Sequence, residues 1–432
     1  MKTTSAPAVA GLEMYALAER LYPICRSITG DGVRETLAVI GERISLEVHE
    51  VASGTRVLDW TVPREWNIRD AYIKEPAGRR VVDFHEHNLH VLGYSVPVRA
   101  RMPLAELREH LYTLPEHPDW IPYRTSYWQE RWGFCLTHRR LENLEDGEYE
   151  VCIDSSLEDG HLTYGEHVVA GESDAEVLIH AHVCHPSLAN DNLSGLVVAT
   201  ELARRIAGRP RRRYSYRFLF LPGMIGPLTW LARNEERLSR VRHGLVLALL
   251  GDSGTFTYKR SRSGDAEVDR AAAHVLAHSG SDYELRDFDP YGYDERQYGS
   301  PGFDLPVGRL TRTPHGEFPE YHSSADDLRL IRPESLTASL ERLTEIIDVL
   351  EGNATYANTS PKGEPQLGRR GLYESLGGGT ARNERQHALL WVLNLSDARH
   401  SLLDIAQRAG LSFGAVRAAA DALIEHELLR EV

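Results

Sequence analysis

The stretch Glu176-Val177-Leu178-Ile179-His180-Ala181-His182-Val183-Cys184-His185-Pro186 carries an apolar strand pattern straight into a group of histidines, and Asp191-Asn192-Leu193-Ser194-Gly195 then opens a helix. An unbroken apolar run followed by a helix reads as a strand buried on both faces, as in parallel sheets. Such sheets place their sites just beyond the carboxyl ends of the strands. His182, His185 and Asp191 stand at that position, and neutral imidazole with ionised carboxylate is a zinc donor set. His180 lies within the strand and reads as structural. Asp-Asn-x-Ser-Gly also suits a plain helix cap, so the metal reading rests on the three residues together.

Outward from this stretch, apolar strands over 149–153, 216–221 and 244–250 alternate with helical patterns over 194–206 and 226–239, and a long helix over 334–350 closes the unit. The alternation predicts an α/β sheet covered on both faces. Two N-terminal helices around Arg26-Ser27-Ile28-Thr29-Gly30 assign residues 1–45 to the same domain. Residues 46–132 are short, proline-punctuated β-prone runs and read as an inserted β-rich domain, which leaves 133–352 as the main α/β unit. Residues 353–382, rich in Gly, Asn, Pro and Ser, read as a linker. Three helical patterns over 387–395, 402–409 and 413–425 give 383–432 the outline of a winged helix.

Charge and composition narrow the function. The 432 residues carry 49 Lys+Arg against 63 Asp+Glu, a net charge of −14, which argues against a nucleic-acid coat or a polybasic membrane anchor. Over 381–432 six Arg face seven acidic residues, so the winged helix reads as an interaction or packing module rather than a DNA reader. No membrane partner is expected, because no long apolar run occurs, and without a signal-peptide core the expected location is the cytoplasm. The four cysteines form no CxxC pair and read as reduced thiols.

A second donor-rich segment, Pro314-His315-Gly316-Glu317-Phe318-Pro319-Glu320-Tyr321-His322-Ser323-Ser324-Ala325-Asp326, lies just before the closing helix, and Asp252 follows the strand pattern at 244–250. Donors on three strand-end loops are a common way to assemble a hydrolytic zinc site with one position left for water.

These motifs resemble the zinc aminopeptidases of metallopeptidase family 28. With Leu21-Tyr22-Pro23-Ile24-Cys25-Arg26-Ser27-Ile28-Thr29-Gly30, Asp59-Trp60-Thr61-Val62-Pro63, Trp132-Gly133-Phe134-Cys135 and Tyr293-Asp294-Glu295-Arg296-Gln297-Tyr298, the chain is more similar still to the bacterial aminopeptidase-like proteins with domains of unknown function 4910 and 2172. The resemblance implies a phosphorylase/hydrolase-like α/β/α sandwich of the zinc-exopeptidase type, with an inserted β-rich domain and a C-terminal winged helix. It implies His182, Asp191 and His322 as metal ligands, Asp191 able to bridge two ions, and Asp252 in the remaining carboxylate position. The chain departs from the family where a Glu-Glu pair should supply the base and a second-metal ligand, because Pro222-Gly223-Met224-Ile225-Gly226 stands there. Cys184 replaces an Asp that orients the histidine.

One zinc rather than two is therefore expected, on His182, Asp191 and His322, with His185 as the alternative to His182. The base must come from elsewhere: Glu320 first, with Glu317 and Glu295 as rivals. Asp294, Glu295 or Asp252 would hold a substrate ammonium, and Arg296 a substrate carboxylate. The expected function is zinc-dependent hydrolysis of an amide bond in a short peptide or aminoacyl small molecule. The rivals are a deacylase or amidase of small-molecule or polysaccharide biosynthesis, and a catalytically silent metal-binding protein. The β-rich insert is placed to roof the cleft or to form a subunit contact in a homo-oligomer.

Overall fold

The structure is a computed structural model that describes residues 6–373 and 384–432. It divides into two compact units, one formed by 1–264 with 284–340 and the other by 265–283 with 341–432.

The first unit is built on an eight-stranded sheet in the order Glu47–Ala52, His161–Val169, Ser215–Leu221, Glu176–His182, Val241–Leu247, Val307–Thr311, Phe256–Lys259, Tyr283–Arg286. The four strands from Ser215–Leu221 to Val307–Thr311 are parallel, while Glu47–Ala52 on His161–Val169, His161–Val169 on Ser215–Leu221 and Phe256–Lys259 on Val307–Thr311 are antiparallel. Every residue of Glu176–His182 is buried, which is why that strand lacks alternation. The helix Gly195–Ala207 presents a nearly continuous buried face. A buried charged group interrupts the apolar layer here: Arg217 forks onto Glu176 at 2.7 Å through two nitrogens and also pairs with Glu166.

The β-rich insert is a four-stranded antiparallel sheet, Arg80–Asp83, Glu65–Lys74, Glu148–Glu158, Val98–Pro103. Its boundaries differ from the sequence reading of 46–132. Glu47–Ala52 pairs with His161–Val169 in the large sheet, while Glu148–Glu158, read as part of the main unit, is a central strand of the insert. The partners of both strands lie far off in sequence, so the pattern alone assigns neither. The insert shares one core with the large sheet, in which Trp66, Ile73 and Ile153 pack with Leu178, Leu219 and Trp230. The turn at 26–30 meets this core, and Gly30 is required there: it has φ 97°, and a Cβ would lie 2.2 Å from the Trp66 carbonyl.

In the second unit, Glu384–Leu395, Leu402–Ala409 and Phe413–Glu425 are the three helices read from the sequence. Ser401 and Asp404 form a capping box, Gly410 ends the middle helix in the left-handed region, and Ser412 caps the last helix. A three-stranded sheet of Asp397–Ser401, Thr355–Asn358 and Leu429–Glu431 completes a winged helix. The linker reading of 353–382 is thereby corrected: Thr355–Asn358 is a strand of this sheet, and residues 374–382 lie outside the described residues. No helix among the described residues is long and apolar enough to cross a membrane.

Candidate metal centre

His182 ends its strand, and the chain returns through the turn at Ala189–Ser194 to bring Asp191 against it. His182 Nε2 lies 2.9 Å from Asp191 Oδ1, His322 Nε2 lies 3.0 Å from Oδ2, and His185 Nε2 lies 4.0 Å from the same oxygen. Tyr293 donates its hydroxyl to Oδ1 at 3.2 Å. Asp191 is fully buried, so one carboxylate forms the hub of three imidazoles and a phenol.

The histidine loop is locked to the hub through its own backbone. Asp326 accepts the Asn190 N–H at 2.6 Å and the Asp191 N–H at 2.9 Å, tying the turn at 190–191 to the segment that carries His322. His322 has φ 56°, a conformation a non-glycine residue holds only where its surroundings enforce it. Part of that enforcement comes from the insert, because Tyr123 N–H donates to the His322 carbonyl at 2.8 Å and Ser324 N–H to the Ile121 carbonyl at 2.8 Å. The Tyr123 ring stands 5.1 Å from both His185 and His322. The insert thus roofs the site rather than standing apart from it.

Charge states favour a cation. Burial pushes His185 down to about 3, against the pull of Asp191, and so keeps it neutral. Burial alone would raise Asp191, but His185, His182 and His322 outweigh it and hold the carboxylate well below its usual range. Donor atoms of His182, His185 and Asp191 lie within 4.8 Å of one another. Tetrahedral zinc with ligands at about 2.0–2.1 Å puts neighbouring donors roughly 3.3 Å apart; this trio fits the ion in donor chemistry, its 4.8 Å limit being wider than a bound ion would hold it, and His322, 3.0 Å from Asp191, adds a further imidazole. A neutral His185 beside an ionised Asp191 matches the protonation states that ligation requires.

Cys184 is a supporting group. Burial pushes its thiol up to about 12, its sulfur accepts the Gly223 N–H at 3.2 Å, and it lies 3.4 Å from His185 Nδ1, the face of the ring turned away from Asp191.

The remaining candidates divide sharply. Glu295 is fully buried 2.5 Å from Lys259 and 3.4 Å from Arg309, so it is a charged brace behind the site and not a carboxylate facing it. Glu317 is exposed and held by both terminal nitrogens of Arg286, outside the cluster. Asp252 accepts from Asn190 at 2.9 Å, Thr313 at 2.7 Å and the Gly254 N–H at 2.6 Å, a set that fixes the turn preceding Asp191. Asp294 is buried, accepts the Met224 N–H at 2.8 Å and lies 3.7 Å from His180; burial raises it to about 6, opposed by His182. Glu320 is half-buried with no hydrogen bond or ion pair to its carboxylate among the described residues. Arg296 is partly exposed and has no carboxylate partner among them; it reaches the Pro290 carbonyl and the Met224 sulfur. His180 is structural, with Tyr298 donating or accepting at 3.1 Å.

Sequence reasoning missed Tyr123 because it lies in the insert, with no motif to tie it to histidines far along the chain. Tyr293 sat inside a quoted motif, but a single phenol gives no signal until the fold brings it to Asp191.

The family model for a domain of unknown function, DUF4910, matches residues 15–353. The chain belongs to this family. A second model, for a winged helix-turn-helix, matches residues 354–431. A Clostridium acetobutylicum relative is 51% identical over 98% of this chain and 97% of its own length; it bears the provisional name of a polysaccharide biosynthesis protein with an aminopeptidase-like domain. A crystal structure of a candidate peptidase from the same organism superposes with a TM-score of 0.94 at 50% identity, covering 99% of this chain and 97% of that one. A Bacillus subtilis zinc aminopeptidase matches at TM-score 0.59 and 14% identity, over 79% of this chain and 94% of its own. At that identity the likeness is one of fold, and this DUF4910 chain has the α/β fold of the zinc aminopeptidases.

Proposed function

We propose that this DUF4910 protein is a metal-dependent hydrolase of amide bonds that acts on a short peptide or an aminoacyl small molecule, with one zinc held by His182, Asp191 and His322 and with His185 beside them. The observation that carries the reading is the Asp191 hub, a buried ionised carboxylate ringed by three imidazoles. Zinc bound there would polarise the scissile carbonyl and supply an activated water. The chain's own residues do the rest. Glu320 takes the proton, lying two residues before His322 in the chain and having no partner for its carboxylate among the described residues. Tyr293 and Tyr123 wall the hub and exclude bulk water. Arg296, whose guanidinium makes no hydrogen bond or close ion pair with a carboxylate among the described residues, holds a substrate carboxylate.

A second reading is supported by the name of the 51% identical relative: the amide belongs to an acylated or aminoacylated sugar of polysaccharide biosynthesis. One experiment tests both. Purified protein, with zinc and after chelation, is offered dipeptides, aminoacyl amides and N-acyl amino sugars, and released amine is measured. Zinc-dependent release from any class supports the hydrolase. No release from every class, by protein shown to hold zinc, overturns it.

A further inference from the structure

Beside the metal centre the insert carries a cavity that the reading so far leaves without a use. It measures about 460 Å3, within the usual span of small-molecule sites, about 300–1,000 Å3. Arg124, Ser126, Tyr127, Trp128, Gln129 and Arg131 supply most of its wall. Trp128 is 45% exposed, unusual for so large an apolar side chain, and leans on Trp60 at 5.1 Å with the rings tilted by 57°. In a chain of net charge −14, this wall holds two arginines and no acid. Neither Arg124 nor Arg131 has a carboxylate partner among the described residues, and the neighbouring Glu130 is already paired with Arg64. The cavity also adjoins the hub. Tyr127 shares a hydroxyl-to-hydroxyl hydrogen bond of 2.7 Å with Tyr123, whose ring stands against His185 and His322.

We infer that this cavity binds a sugar ring bearing an anionic group, a carboxylate or a phosphate. An exposed indole offers a face for the C–H side of a pyranose, while Ser126 and Gln129 match hydroxyls. Two unpaired guanidiniums call for an anion. The tilt between Trp60 and Trp128 leaves no parallel slot of the kind a nucleobase uses. The inference deepens the proposed function by naming the saccharide class of its substrate, and it rests on that reading for the claim that the sugar is part of what is cleaved. Binding is a separate matter and is tested without turnover.

Full-length protein stripped of metal is titrated by calorimetry with digalacturonate, glucose 1-phosphate, maltose and uridine monophosphate. The same series is run on Trp128→Ala and on Arg124→Ala/Arg131→Ala, whose side chains are exposed and whose folding is checked by circular dichroism. The expected result is saturable binding of one or both anionic sugars, at least about fivefold tighter than maltose, weakened about tenfold or more by each variant. Which anionic sugar binds tells carboxylate from phosphate. Absence of binding by all three sugars overturns the inference, as do equal affinity for maltose, tighter binding of the nucleotide, or variants that bind as wild type does. Because the protein is metal-free, such a failure leaves the hydrolase reading standing.

Discussion

Glu295 distinguishes a base from a brace. The carboxylate is fully buried between Lys259 at 2.5 Å and Arg309 at 3.4 Å, and both cations are themselves buried. Glu295→Gln leaves two cations facing each other without an acid, and breaking a buried pair from one side costs about 3–5 kcal/mol. Lys259→Met is milder, because Glu295 keeps Arg309 as a counter-charge; the losses are part of the Lys259–Glu295 pairing and the Lys259 bonds to the Asp289 and Tyr291 carbonyls at 2.7 and 3.0 Å, together about 1–3 kcal/mol. In a domain of this size roughly 2 °C of Tm is lost per kcal/mol, so Glu295→Gln should melt about 6–10 °C below wild type and Lys259→Met about 2–6 °C below. Scanning calorimetry of metal-free protein reads this order. Hydrolysis measured at 20 °C on the folded, zinc-loaded variants should change by less than about tenfold, since neither side chain faces the hub. A Glu295→Gln variant that melts with wild type yet loses about a thousandfold in kcat would refute the brace and make Glu295 the base.

Three further outcomes follow from the same geometry. Glu320→Gln should lower kcat about 10²–10⁴-fold while zinc content and Tm stay at wild-type values; unchanged kcat removes Glu320 as the proton acceptor. Arg296→Ala should raise KM about 10–100-fold for substrates with a free carboxylate and leave their amidated forms unaffected, the worth of one charged hydrogen bond; equal effects on both forms would contradict the clamp. His243 is buried with no hydrogen bond to its ring nitrogens among the described residues, and burial, with Arg213 and Arg242, lowers it to about 4. Its folded value lies below the unfolded one of about 6.5, so the stability it contributes is complete above pH 6.5 and is lost as pH falls toward 4, at about 1.4 kcal/mol per pH unit. Urea unfolding of metal-free protein at pH 7, 6 and 5 should therefore show a shallower decline for His243→Gln than for wild type, and parallel declines would refute the assignment.

Much of the fold was legible because its deciding elements are local. The strand Glu176–His182 announces burial on both faces through an unbroken apolar run, and Ser401, Asp404 and Gly410 mark the ends of a helix within a few residues. The insert boundaries were not legible, since Glu47–Ala52 and Glu148–Glu158 are each assigned to a sheet by partners far along the chain. Thr355–Asn358 was hidden for another reason: its neighbours are turn formers, and a four-residue strand carries too little periodicity to outweigh them. At the site, His182, His185, Asp191 and His322 stood out because metal donors are chemically distinctive. Their carboxylate neighbours did not sort themselves, because Glu295, Glu317 and Asp252 differ only in which cation or amide the fold supplies to each. Tyr123 is the clearest case, a residue placed at the hub by a backbone bond to His322 that no local pattern encodes.

The most direct test of the metal centre is zinc content by plasma mass spectrometry on wild type and His322→Ala, each reconstituted with zinc, desalted and checked for fold by circular dichroism. Roughly one zinc per chain in wild type and a small fraction of that in a folded His322→Ala is the predicted result, since the variant removes a donor from the Asp191 hub. Folded wild type that emerges from reconstitution without zinc, or a His322→Ala that retains it in full, would contradict the assignment of this cluster as the metal site.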